Sequence, residues 1–189
     1  MSTHSSVITK QSTPFISKQP KNIEDNEELS LVESLSSLIG EIIRKNRYQR
    51  LKSNKTLFYN EDSKIPDISI SSFIFYIYSY LNLDFSTILL SLISIQRFLN
   101  LTKDKLSKNN FHKLFITSCL LNSKHNQEHS YSSKAYAIIG KISNSELIIL
   151  EKEFFNLIDY KLYVNDEVYQ SYFNLIKKRA VNSNKKKFN

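Results

Sequence analysis

Lys108-Asn109-Asn110-Phe111-His112-Lys113-Leu114-Phe115-Ile116-Thr117-Ser118-Cys119-Leu120-Leu121-Asn122-Ser123-Lys124 is the stretch on which the fold turns. Its apolar members, Phe111, Leu114, Phe115, Ile116, Cys119, Leu120 and Leu121, point nearly all round a helix of 3.6 residues per turn. A helix that is apolar on most sides must be enclosed by others, which places this one at the centre of a bundle.

The segments on either side can supply the enclosure. Residues 70–81 and 85–100 are strongly apolar and aromatic, with a break at Asn82-Leu83-Asp84 and Asp84 as the N-cap of the second. The uncharged run 68–83 invites a membrane reading, but its 16 residues stop short of the roughly 20 that a span requires. Downstream, a short helix near 132–139 stops at Gly140, the expected C′ residue, and Ser143 with Glu146 forms a capping box opening a helix to about 159. That helix has two stripes: Leu147, Leu150, Phe154 and Leu157 on one face, Ile148, Glu151 and Phe155 on another. Two such faces call for two neighbours, and the second neighbour can be another protein. A last helix, 166–178, is capped by Asn165. Upstream, Leu31, Leu35, Leu38 and Ile42 recur at helical spacing behind a Ser30-x-x-Glu33 capping box, giving a helix near 30–46. The expected layout is a disordered tail over 1–27, an N-terminal helix and basic linker over 28–64, a helical body over 65–178 and a basic tail over 179–189.

Composition agrees with an all-α class. Only 2 Gly and 3 Pro occur in 189 residues, too few for the turns of a β-sandwich, a barrel or a glycine-rich nucleotide loop. The lone Cys119 excludes an internal disulfide, and no apolar leader follows Met1, so an intracellular compartment, nucleus or cytoplasm, is expected. The net charge of +8 is unevenly spread: 1–43 carries −3, 44–64 carries +5, 65–176 is neutral and 177–189 carries +6. Basicity thus sits outside the apolar body, so nucleic acid is not the expected partner, and Lys177, Lys178, Arg179 and Lys185 to Lys187 read as a solvated tail or a nuclear address.

Two constellations could carry chemistry. His125-Asn126-Gln127-Glu128-His129 matches the H-x-x-E-H pattern of inverted zinc peptidases, in which the histidines would hold metal and Glu128 would act as base, with Glu151 or Glu153 as third ligand. Its geometry requires a continuous helix, whereas Ser130 to Ser133 follow at once. Cys119 has His112 two turns away, too far for direct hydrogen bonding, so it reads as an inert core thiol.

Four stretches together carry a family resemblance: Ser30 to Lys45; Ile68-Ser69-Ile70 with Phe73 and Ile77, leading to Ile95-Gln96-Arg97-Phe98-Leu99; Asn110-Phe111-His112-Lys113-Leu114 with Thr117-Ser118 and Asn122-Ser123-Lys124; and Tyr136-Ala137 with Gly140, leading to Leu150-Glu151, Glu153-Phe154 and Asp159-Tyr160-Lys161-Leu162. Over about residues 30–178 the chain resembles the cyclin box of the phosphate-regulatory (P/U-type) cyclins. The resemblance implies a five-helix cyclin box with one preceding and one following helix. It further implies a non-enzymatic protein, without cofactor, metal or small-molecule substrate, that binds and activates a cyclin-dependent protein kinase. The family's two charged kinase contacts fall on Lys124 and Glu151, and His125, Phe155 and Tyr160 fall at or near its apolar contacts. Two departures stand out. Tyr76 and Gln96 occupy the places of a family Arg–Asp pair, and His125-Asn126-Gln127-Glu128 replaces an aromatic residue and acidic residues. A cyclin-fold adaptor without kinase activation, and a zinc hydrolase using His125, Glu128 and His129, are the alternatives.

Overall fold

The computed structural model describes residues 26–47, 56–60, 67–128 and 130–187. Among them it contains seven helices and no strand, the all-α architecture that the periodicities predict. In chain order these are α1 (Asn26–Asn46), α2 (Ile70–Tyr80), α3 (Phe85–Thr102), α4 (Lys108–Asn126), α5 (Ser133–Gly140), α6 (Asn144–Leu157) and α7 (Asp166–Lys187).

Helix α4 is the axis of the molecule, with 13 of its 19 residues buried. Its start is stitched by Asn110: the Ser107 amide donates to Asn110 Oδ1 at 2.8 Å, and Asn110 Nδ2 donates to the Lys105 carbonyl at 2.9 Å. Small polar residues let α3 approach α4 closely. Ser118 Oγ donates to the Ser91 carbonyl at 2.8 Å, and Asn122 Nδ2 reaches the Ser118 carbonyl at 2.9 Å and Ser94 Oγ at 3.2 Å. These groups are buried, and each would cost a desolvation penalty of about 1–3 kcal/mol if left unpaired, so the network also sets the register of the two helices. Helix α3 is long and apolar enough to cross a membrane by length and composition alone. Ten of its residues are nevertheless buried inside the bundle, where the same composition serves as core.

Several boundaries differ from the sequence reading, each for a physical reason. Helix α1 begins at Asn26, so Ser30 lies inside it and cannot cap it. Glu28 on its first turn instead accepts from the Phe85 amide at 2.7 Å, capping α3 from another helix. Gly140 is the last residue of α5, and the left-handed C-cap is Lys141 at φ 54°. The glycine is needed for close approach, because a Cβ there would lie 2.8 Å from Ile116 Cγ1 on α4. Ser143 caps α6 through the Glu146 amide at 3.0 Å, but the Glu146 carboxylate pairs with Lys113 at 2.9 Å rather than closing the capping box. Asp84 and Asn165 cap as expected, accepting from the Thr87 amide at 2.6 Å and the Val168 amide at 3.0 Å. Helix α7 runs past 178, where a tail was expected to start: Ala180 is buried and Arg179 pairs with Glu41 on α1 at 2.7 Å. The tail expected over 1–27 lies outside the described residues except for its last two, which belong to α1.

The segment read as a surface linker contributes to the core. Phe58 is fully buried, its ring 5.0 Å from Phe98 and 5.9 Å from Phe154, while Tyr59 donates to Asp104 at 2.6 Å and the Asn60 amide donates to the Asn109 carbonyl at 2.8 Å. No helical period announces the short apolar run Leu57-Phe58-Tyr59 within a polar connection. The burial of Phe58 depends on the stacked rings of Phe98 on α3 and Phe154 on α6, against which it packs edge-on.

Two predictions follow from this packing. Phe58→Ala empties a site inside the cluster of Phe98 and Phe154 and should cost about 3–5 kcal/mol, measured by denaturant unfolding against wild type. A loss under about 1 kcal/mol would show that the segment is not part of the core. His112, buried with its ring 4.6 Å from Phe73, has its pKa lowered from 6.5 to about 4 by that burial. The unfolded chain therefore takes up the proton first. The stability this neutral imidazole contributes is full above pH 6.5 and is lost as pH falls from there toward 4, by up to about 3 kcal/mol. His112→Phe should flatten that part of the stability–pH curve, and an unchanged slope would contradict the assignment.

Candidate functional site

The residues singled out by the resemblance converge on the C-terminal end of α4 and one face of α6. Lys124, in the last turn of α4, meets Glu151 of α6 with Nζ 2.6 Å from Oε1. The lysine side chain is 40% exposed and the glutamate 20%, so the pair lies at the surface while its acidic member leans against the protein. His125 follows Lys124, and Phe155 lies one helical turn beyond Glu151. Tyr160 stands in the loop after α6 with its ring 4.9 Å from Phe155, edge to face. His125, Phe155 and Tyr160 line one open groove of about 530 Å³, together with Arg97, Lys161, Leu162 and Tyr163.

Helix α6 is placed for this by its own pattern. Leu147, Leu150 and Phe154 are buried against the core, which turns Ile148, Glu151 and Phe155 outward, and Ile148 stays 50% exposed. The second stripe read from the sequence thus lies at the surface, with Ile148 exposed, Phe155 half-buried against the core and the Tyr160 ring, and Glu151 paired with Lys124. It is apolar apart from Glu151, and that residue is held by Lys124. The loop then turns sharply: Asp159 and Tyr160 have φ of 54° and 58°, a left-handed conformation that residues bearing a Cβ adopt only when their surroundings impose it.

The five expected site residues therefore form one region, which no spacing rule could have brought together. Arg97, Leu162 and Tyr163 were not singled out as site residues. Arg97 and Leu162 stood only inside motif runs, and nothing local to the chain signals that α3 passes beneath the loop after α6.

The other constellations part company in space. Helix α4 ends at Asn126, and Gln127 is extended at φ −107° and ψ 133°, so His125 and Glu128 do not continue along one helical face; His129 lies outside the described residues. Among the described residues, no three His, Cys, Asp or Glu side chains come together as a metal site. Cys119 is wholly buried, and burial pushes its thiol up to about 12, away from thiolate chemistry. Gln96, at one of the two departures from the family, is exposed and donates to Asn100 at 3.1 Å, while Tyr76 packs on Tyr80 with ring centroids 4.4 Å apart. Gln96 therefore leaves no buried site in need of a charged partner.

The family model for cyclins matches residues 3–162. Cyclin-U2-1 of Arabidopsis thaliana is 32% identical over 154 residues, covering 79% of this chain and 69% of that protein. Cyclin-U2-2 of the same plant is 32% identical over 158 residues, covering 79% and 68%, and Cyclin-P3-1 of Oryza sativa subsp. japonica is 26% identical over 161 residues, covering 83% and 66%. The chain belongs to the cyclin family. Within that family it is a cyclin of the P/U type, and membership makes it a cyclin-type regulatory protein.

The Lys124–Glu151 pair, being exposed, should add only about 0–1 kcal/mol to the fold. Exchanging the two residues, Lys124→Glu with Glu151→Lys, keeps a salt bridge available and should leave the thermal melt within a few degrees of wild type. Loss of the cooperative melt would mean that the pair is structural.

Proposed function

We propose that this cyclin binds a cyclin-dependent protein kinase through the face built by Lys124, Glu151, His125, Phe155 and Tyr160, and activates it there. The observation that carries the reading is the Lys124–Glu151 pair, 2.6 Å apart, whose members adjoin His125 and, one turn along α6, Phe155, two residues that line an open groove. Charges at the edge of an apolar patch fix orientation and register, whereas the patch supplies the buried area. Both side chains retain free hydrogen-bonding capacity: one ammonium donor of three and one carboxylate oxygen of two are used in their mutual contact.

Activation follows from selection between kinase states. A kinase is competent when its αC helix swings inward and its glutamate pairs with the β3 lysine that orients the ATP phosphates. A partner that fits only the inward helix shifts the population toward activity by the difference of its affinities for the two states. The cyclin itself contributes no catalytic group in this scheme, and it would act within the cell, in nucleus or cytoplasm. A second reading rests on His125, which lines the groove at or near a place where the family has an apolar contact. A less apolar groove fits a cyclin-fold adaptor that engages its partner without activating it.

Affinity purification of the tagged protein, with identification of copurifying kinases and an activity assay on the recovered complex, tests both. Wild type should retain a cyclin-dependent kinase and raise its activity, while Lys124→Glu with Glu151→Lys should lose it. Reversing a desolvated interfacial charge costs roughly 2–5 kcal/mol, which for two residues amounts to more than about 100-fold in affinity. Retention without activation would favour the adaptor. Normal activation by the folded double variant would remove these residues from the interface.

A further inference from the structure

We propose that Arg97 is a positioning residue for partner docking, clamping the loop between α6 and α7 so that Tyr160 and Tyr163 are presented in one arrangement. The proposal rests on the docking reading above and adds to it how the groove is held in shape. Arg97 projects from α3, next to the fully buried Phe98, and its guanidinium donates through Nη1 to the Lys161 carbonyl and through Nη2 to the Tyr163 carbonyl, the latter at 3.2 Å. Two donors in a rigid planar fork on two carbonyls two residues apart fix the direction of the backbone as well as its position. Such charge-assisted bonds are stronger than neutral ones.

The loop needs an external brace. Asp159 and Tyr160 are consecutive residues in the left-handed region, and neither is glycine. Local bonds close the turn, from the Tyr160 amide to the Phe155 carbonyl at 2.9 Å and from the Ile158 amide to the Phe154 carbonyl at 3.1 Å. Leu162 is buried and anchors the middle of the loop. Tyr163, 73% exposed, is held by neither device, whereas the 63% exposed Tyr160 rests edge-on against Phe155 and its hydroxyl donates to Asn156 Oδ1. The Tyr163 ring takes its placement from the backbone beneath it. The backbone oxygens on either side of Leu162, those of Lys161 and Tyr163, are capped by Arg97, which itself lines the groove. A loop held in its bound conformation before the partner arrives loses less freedom on binding, so a clamp beneath the contact residues acts on affinity without touching the partner.

The test uses the full chain with Arg97→Gln and Arg97→Lys. Amide hydrogen exchange of the free proteins should show residues 159–165 exchanging at least about tenfold faster in Arg97→Gln, with the amides of α4 and α6 unchanged. The cyclin-dependent kinase recovered with wild type should bind Arg97→Gln on the order of tenfold more weakly, chiefly through faster dissociation, at an unchanged melting temperature. Arg97→Lys separates a clamp from a charge: lysine keeps the charge and loses the fork, so it should resemble Arg97→Gln. Wild-type affinity in Arg97→Lys with loss in Arg97→Gln would overturn positioning in favour of a direct charge contact. Unchanged exchange in Arg97→Gln would overturn the clamp itself. If wild type retains no kinase, the docking reading fails and the docking role of Arg97 falls with it, whereas the exchange result still decides whether Arg97 holds the loop.

Discussion

The structure depends on the enclosure of α4. A helix buried along 13 of its 19 residues can form only if other elements cover each of its sides, and most of the polar groups it carries inward find partners, the Thr117 hydroxyl being an exception among the described residues. Ser118 and Asn122 find them on α3, Asn110 finds them in its own approach loop, and Gly140 lets α5 come into contact at Ile116. Satisfied buried polar groups make the arrangement specific as well as stable, since a slip of one residue between α3 and α4 would strand several of them at once. Phe58 belongs to the same economy of space: its ring packs edge-on against the stacked pair of Phe98 and Phe154.

Once α4 is enclosed, what remains exposed is informative. The buried side of α6 uses Leu147, Leu150 and Phe154, and its other stripe leaves Ile148 exposed and Glu151 and Phe155 half-buried. The last turn of α4 emerges beside it, bringing Lys124 to Glu151 and His125 to the groove. The site is therefore made from the ends of core elements. Its rigid walls are inherited from the bundle, while its aromatic rim stands on a short loop in a left-handed conformation. In the proposed docking, a rigid wall discriminates shape and a loop held in place lowers the entropy lost on contact.

The helices and their order were legible in the chain because amphipathic periodicity and side-chain caps are local properties. Asp84, Ser143 and Asn165 cap α3, α6 and α7 from within three residues, and the stripes of α6 are visible in 14 residues. The family motifs carried the same information further, since Asn110 and Asn122 stand in them for the contacts they make at the two ends of α4. Lys124 and Glu151 were legible only through that resemblance. Their spacing of 27 residues says nothing about a distance of 2.6 Å.

Tertiary structure alone decided the rest, wherever a residue's role is defined by a neighbour distant in sequence. Glu28 caps α3 across 57 residues, Arg97 braces a loop 64 residues away, and Arg179 holds the end of α7 to α1 across 138. Phe58 looks like part of a polar connection until the rings of Phe98 and Phe154 pack against it, and Gly140 looks like a helix terminator until Ile116 approaches it. The sequence by itself determined which segments are helical and which sides of them avoid water, because both follow from periods of a few residues. Which of those sides meet, and which stay exposed, depends on how the seven helices of the described residues share one interior, and no local period encodes that.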